Sequence, residues 1–225
     1  LGNDGKDTGT SMDLGMFILS VSGCSSETQM PYYMPDYTSW PDEAVWVEAL
    51  KRRTGGRHYI GLPGNCTDAD LLAIKQHLAN GAVAVTATDV YDNWYSTYPA
   101  NTAGIDNQVL YATPGGTWAA HALTIVGYDD NKTYNDGTGN KSGAFLMANS
   151  WGNWWGTGNS ANTSKGFMWV AYSYFKSTPG CFGMVYFNDD LAHYRPKFYL
   201  AAGLNHATRG SIYLAGGLGP VSDRE

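Results

Sequence analysis

His121 and Asn149 are the residues whose types and setting point to chemistry. Each borders an apolar run that reads as a buried strand, Ala122 to Gly127 after the histidine and Phe145 to Ala148 before the asparagine. Both polar groups are therefore expected at strand ends. An imidazole and a carboxamide delivered from neighbouring strands meet side by side. The amide oxygen then accepts an imidazole N–H, fixing the ring's orientation and tautomer, and leaves the other ring nitrogen facing a third group.

The segment that closes on the asparagine runs Asn149, Ser150, Trp151, Gly152, Asn153, Trp154, Trp155, Gly156, and His121 is followed by Ala122 at the head of its strand. Together they resemble the papain-like cysteine peptidases, in which a His-Ala-Val-type strand and an Asn-Ser-Trp-Gly-x-x-Trp-Gly signature supply two of the catalytic groups. The resemblance implies a cysteine-type endopeptidase of the α+β class with a papain-like fold. Residues 46–188 would be the β-rich, barrel-like right lobe carrying His121 and Asn149, and residues 1–45 a remnant of the helical left lobe. It makes His121 and Asn149 catalytic, Trp151 the cover of their contact and Trp155 a wall on the leaving-group side. Gly5 and Gly9 correspond to the family's Gly-Gly loop, whose backbone pairs with extended substrate, although Lys6, Asp7 and Thr8 separate them here. Ala119 and Ala122, small residues flanking the histidine, would leave room for a bulky apolar substrate residue. The implied partner is a peptide or protein substrate, with no cofactor and no metal.

The family's nucleophile lies in a Gly-Ser-Cys-Trp-like segment, and none occurs between Leu1 and Glu225. The family spacing places that cysteine roughly 10–30 positions before Leu1. The expectation is a fragment whose upstream lobe carries the catalytic cysteine, together with the glutamine and backbone N–H that hold the oxyanion. The alternative is a peptidase-like binding module that has lost its nucleophile. Of the 3 cysteines, Cys24, Cys66 and Cys181, none stands at a helix N-terminus that would lower a thiol pKa. The resemblance allows one bridge, between Cys24 and Cys66.

Composition limits other functions. A formal charge of −6 and pI near 5.2 argue against nucleic acid, which demands clustered Lys and Arg. The one basic cluster, Lys51, Arg52, Arg53 and Arg57, closes an expected helix and would face the negative end of its dipole. No apolar run is long enough for a membrane span. With 28 Gly, 16 Tyr and 8 Trp and little charge, the chain has the character of a strand-rich protein from outside the cell or its surface. Sequons stand at Asn65, Asn131, Asn140 and Asn162. The acidic stretch from Asp129 to Gly137 lacks the glycine and glutamate spacing of a calcium loop and reads as a hairpin connection. Neither Gly-x-Ser-x-Gly nor His-Glu-x-x-His occurs, so serine and zinc hydrolysis find no support.

The elements that must position the pair follow from caps and periodicity. Thr10 or Ser11 starts a helix carrying Met12, Met16, Phe17 and Leu19, which Gly23 ends. A second helix runs from about Pro41 to Arg53, stopped by Thr54-Gly55-Gly56, and a third from Asp68 to Ala79 behind a Thr67 cap, burying Leu71, Ile74 and Leu78. Strands are expected at Ala82–Thr88, Asn107–Ala112, Gly166–Tyr172 and Phe182–Phe187. The aromatics of Asp89–Ala103 read as packing rather than substrate rim, and His58 and His77 as structural. Residues 189–225 read as a linker and the start of an appended β-module with a faint resemblance to a proprotein-convertase-type P domain.

Overall fold

The computed structural model describes residues 9–32, 39–62, 65–95, 103–113, 115–153, 155–156, 166–176, 184–191, 194, 203, 205 and 207–208. Gly5, Cys181, Trp154, the Asn162 sequon and nearly all of the expected C-terminal module lie outside them. In chain order the elements are α1 (Met12–Val21), α2 (Glu43–Leu50), β1 (Thr54–Ile60), α3 (Asp68–Ala79), β2 (Ala84–Tyr91), α4 (Asp92–Tyr95), β3 (Ile105–Asp106) and β4 (Val109–Leu110). There follow β5 (Thr117–Asn135), β6 (Asn140–Ala148), β7 (Phe167–Ala171), α5 (Tyr172–Lys176) and β8 (Val185–Asp190). The strands form one 8-stranded sheet in the order β1-β8-β2-β5-β6-β7-β4-β3, so the strands leading to His121 and Asn149 sit at its centre. Every pairing is antiparallel except β4 with β7.

Strict alternation along β2 sends Ala84, Thr86, Thr88 and Val90 into the core, where Leu123 and Ile125 of β5 meet them. Beyond them Phe145 and Met147 of β6, Met168 and Val170 of β7, and Tyr174 and Phe175 of α5 complete the interior, all at most 2% exposed. The buried hydroxyl of Thr86 avoids a desolvation penalty by donating to Met184 O at 2.9 Å.

α3 closes one side of this core. Thr67 caps it by accepting from the Asp70 N–H, while the Asp70 carboxylate accepts the Thr67 N–H at 2.8 Å and hydroxyl at 2.6 Å, a reciprocal capping box. Leu71, Ile74 and Leu78 recur on one face and are buried, and Gly81 takes the left-handed turn beyond the end. On the outer face Lys75 reaches Asp130 of β5 at 3.0 Å, beneath the same carboxylate that accepts from Tyr172 Oη at 2.7 Å.

Several expectations need correction. α2 stops at Leu50, three residues early, with Lys51 as its C-cap, because the chain from Thr54 is taken up by pairing with β8. Thr54-Gly55-Gly56 then begins the edge strand β1 instead of a loop, and a side chain at Gly55 or Gly56 would run into Asp189 of β8. Of the basic cluster, Lys51 and Arg52 stand at the C-terminal end of α2, whereas Arg53 and Arg57 reach away from it. Arg53 donates to Ser20 O and to Tyr194 Oη, and Arg57 makes a two-pronged pair with Asp13, so both tie α1 to the sheet. Asn107–Ala112 is not one strand: Asn107 and Gln108, at positive φ, form the tight turn of the hairpin that joins β3 to β4. The polar stretch from Asp129 stays in β5 as far as Asn135, with a register shift before Thr133. The last strand is displaced to Val185–Asp190, past the proposed start of the linker.

Cys24 and Cys66 are not bridged to each other: Cys24 is exposed, while Cys66 is buried in the core. His58 pairs with Asp189 and stacks on Phe187, and His77 meets Val83 O, both within the scaffold.

Two measurements test the α3 cap. Thr67→Ala is expected to cost about 1 kcal/mol of unfolding free energy. The Thr67 hydroxyl, and then its N–H, hold the Asp70 carboxyl below the ordinary value of 3.8. A carboxyl depressed in the folded state stabilises above the unfolded pKa, and that contribution disappears as the pH falls through the folded one. The stability gap between wild type and Asp70→Asn, read by urea denaturation, is therefore expected to narrow below about pH 4.

Candidate active site

His121 is the fifth residue of β5, inside the strand rather than at its end. The reason is that β5 begins at Thr117, where the backbone already pairs with Tyr91 of β2. Asn149 follows directly on the last residue of β6, as expected. Because Thr124 lies opposite Ala148, β5 and β6 diverge at the point where both groups emerge. The imidazole Nε2 and the Asn149 Oδ1 are 2.8 Å apart.

Which atom carries the proton follows from a neighbour. The Ser150 backbone N–H donates to the same Asn149 Oδ1 at 2.7 Å. A flipped carboxamide would aim its NH₂ at that N–H, donor against donor, so the oxygen must face both. An acceptor facing Nε2 requires the proton on Nε2. The neutral ring therefore keeps its lone pair on Nδ1, which makes no hydrogen bond among the described residues.

The loop after Asn149 is held by its own backbone. Asn149 N–H donates to Gly166 O at 2.9 Å, and Gly166 N–H donates to Trp155 O at 2.7 Å, so one residue at the mouth of β7 fixes both ends of the turn. Gly152, at φ +85°, makes the reversal between them. Trp151 lies beside His121 with ring centroids 4.9 Å apart and an interplanar angle of 32°. Behind it stands Trp155, 3% exposed, edge-on to Trp151 at 5.4 Å. An apolar wall beside the His–Asn bond raises the energy of breaking it, because water cannot replace it there.

A third tryptophan escaped the sequence reading as a site component. Trp94 is 2% exposed and contacts both Trp151, at 6.4 Å, and Trp155, at 6.0 Å, while its carbonyl accepts the Trp155 indole N–H at 2.9 Å. Its neighbours act on the backbone. Asp92 accepts from Gly116 N–H ahead of β5, and the Asn93 amide donates to Ala103 O and Ala112 O on either side of the β3–β4 hairpin. Only the aromatic spacing in Asp89–Ala103 hinted at this role.

Of the expected substrate residues, Ala119 and Ala122 are exposed, but alternation puts them on opposite faces of β5, Ala119 with His121 and Ala122 with Ala120. Gly9 lies just ahead of α1 at φ +72° with open space around it. Gly5 lies outside the described residues. No group of three or more His, Cys, Asp or Glu that could hold a metal occurs among the described residues, and no described helix is long and apolar enough to cross a membrane.

The tautomer assignment is open to measurement. In ¹⁵N spectra of the imidazole, neutral His121 is expected to appear as the Nε2–H form almost exclusively. Asn149→Ala should return it to a mixture of tautomers, whereas equal populations in both proteins would contradict the assignment.

Comparison with known proteins bears on the fold and the family. No curated protein matches the chain in sequence. Among solved structures, xylellain, a cysteine protease from Xylella fastidiosa, superposes with a TM-score of 0.55 at 21% identity, over 84% of this chain and 65% of that one. SERA5E from Plasmodium falciparum gives 0.50 at 18% identity, over 81% and 70%. The proCathepsin B S9 of Trypanosoma congolense gives 0.47 at 14%, over 78% and 51%. At 21% and 18% identity the likeness to xylellain and SERA5E is one of fold, and the chain spans 65% of xylellain's length and 51% of the proCathepsin B chain's. The sequence profile described as papain family cysteine protease matches residues 2–178. With the α+β sheet and the profile covering most of its length, the chain belongs to the papain family of cysteine proteases.

Proposed function

We propose that this chain supplies the histidine and asparagine of a thiol endopeptidase whose cysteine lies on an upstream lobe. The observation that carries the reading is the 2.8 Å contact between His121 Nε2 and Asn149 Oδ1, with the amide oxygen pinned by Ser150. It leaves Nδ1 as the free basic site. A cysteine thiol set against Nδ1 would pass its proton there, giving a thiolate–imidazolium pair, and Asn149 Oδ1 would share the positive charge through Nε2–H.

The thiolate attacks the peptide carbonyl carbon and forms the S–C bond. His121 Nδ1–H then protonates the departing amine as the C–N bond breaks. In the second half Nδ1 accepts a proton from water as the hydroxide oxygen attacks the thioester, releasing the acid and returning the thiol. Trp151 keeps the Nε2–H bond dry through both halves, and Trp155 supports Trp151 from behind. Ala119, on the face of His121, and the Gly5–Gly9 segment would receive the peptide, whereas Ala122 faces away from the histidine. In this reading residues 1–45 belong to the helical lobe, residues 46–188 to the catalytic β-rich lobe, and residues 189–225 to a linker and appended module. The setting is extracellular or at the cell surface.

The full-length protein is the proper test. A thiol-directed epoxide should label it on the upstream cysteine, and His121→Ala should abolish labelling and lower kcat/KM by about 10³-fold. Asn149→Ala should cost about 10²-fold, because the base remains but its orientation is lost. Peptide binding with neither labelling nor turnover would instead identify a binding module without a nucleophile.

A further inference from the structure

Of the described arginines, Arg52 pairs with Glu48 and Arg57 with Asp13, while Arg53 forms no ion pair among the described residues. Its half-buried guanidinium serves two uncharged groups instead. The Nε–H donates to Ser20 O at 2.7 Å, and an Nη1–H donates to Tyr194 Oη at 3.1 Å. The ring of Tyr194 also faces the guanidinium, its centroid 5.0 Å from the central carbon. A cation partly withdrawn from water without a carboxylate depends on such acceptors to offset its lost hydration.

The two partners belong to distant parts of the chain. Ser20 is the penultimate residue of α1, so its carbonyl is one of those a helix leaves without an intrahelical donor, and the last turn of α1 carries no basic residue of its own. Arg53 therefore supplies from outside the positive charge that this end of the helix favours. Tyr194 lies beyond β8, on the stretch that the sequence reads as a linker, yet it is half-buried. Its N–H donates to Leu191 O at 3.0 Å, and the Leu191 side chain lies over Gly55, where a Cβ would meet it at 3.4 Å. Leu191 and Tyr194 thus lie back against the head of β1, where Arg53 stands between them and α1.

We propose that the surface made by Ser20, Arg53 and Gly55 is the docking site of the chain's own C-terminal segment, and that Arg53 is a shared clamp fixing the point at which that segment leaves the domain. The proposal does not depend on the peptidase reading. One side chain then joins two elements. Without Tyr194 the guanidinium loses the oxygen and the ring that orient it, and its hold on α1 weakens. With α1 displaced, Tyr194 in turn loses its cation. Lysine is no substitute, because a single ammonium lacks the planar fork that reaches both oxygens while facing the ring.

The full chain labelled with ¹⁵N provides the test. In the wild type the Tyr194 amide is expected to show the order parameter of rigid backbone, about 0.85, rather than the value below about 0.6 of a loose tail. Arg53→Ala should drop Tyr194 into the mobile range, and so should Arg53→Lys, which keeps the charge. Tyr194→Ala, a change outside every described helix and strand, should raise hydrogen exchange of the Ser22 amide, which donates to Ile18 O at the end of α1, by about tenfold, with the amides of β6 and β7 unchanged. A mobile Tyr194 in the wild type overturns the proposal, as does a Tyr194 that stays ordered in Arg53→Lys. An unchanged Ser22 amide in Tyr194→Ala overturns the shared clamp, and a rise spread equally over β6 and β7 counts against it as general loosening. Should Arg53→Ala fail to fold, Arg53→Lys and Tyr194→Ala still decide the question.

Discussion

One oxygen atom organises the site. Asn149 Oδ1 accepts from Ser150 N–H and from His121 Nε2–H at once, and the first bond dictates the second. A side-chain amide alone could turn over and present its nitrogen. Tied to a backbone N–H it cannot, and the imidazole next to it has one tautomer available. Much of the surrounding structure serves this contact. The β5–β6 register brings the two residues together, Gly166 closes the turn beneath Asn149, and Trp151 shields the result.

The contact joins two chain segments that no covalent link holds in place, and α4 connects them. Three consecutive residues divide the work: Asp92 holds the segment entering β5, Asn93 holds the β3–β4 hairpin, and Trp94 grips Trp155 by its carbonyl and packs on both motif tryptophans by its ring. Gly115 belongs to the same device, since a Cβ there would overlap the Asp92 side chain. The two sides of the pair therefore share one short support, which limits how far either can drift from the other.

What was legible in the sequence had local causes. The α3 boundaries followed from the Thr67 cap and the spacing of Leu71, Ile74 and Leu78, because caps act within a turn, and the His–Asn pairing followed from two runs whose ends carried the polar groups. The misses had distant causes. Thr54-Gly55-Gly56 ends α2 as its composition suggests, but it also opens a strand because it pairs with β8, where Asp189 leaves little room for side chains. The roles of Arg53 and Arg57 depended on acceptors in α1, and Asn93 looked like any turn residue until the hairpin it clamps was in view.

The manner in which α1 is attached bears on how an upstream lobe would communicate with the site. Only Met16 of that helix is buried, and Phe17 and Val21 remain exposed, so apolar burial contributes little to its docking. It is held instead by the two-pronged Arg57–Asp13 pair, the Arg53 bond to Ser20 O, and Asn188, whose amide donates to Met16 O and to Thr54 Oγ1. Polar fasteners of this kind set orientation more sharply than apolar contacts, and the exposed ones weaken with salt. Asn188 lies on β8, which pairs with β2, and β2 pairs with the strand of His121. α1 is thus linked to the strand of His121 through two strand pairings. Because the sheet between them is tightly packed, the placement of anything joined to α1 depends on those few hydrogen bonds rather than on the compliance of the core.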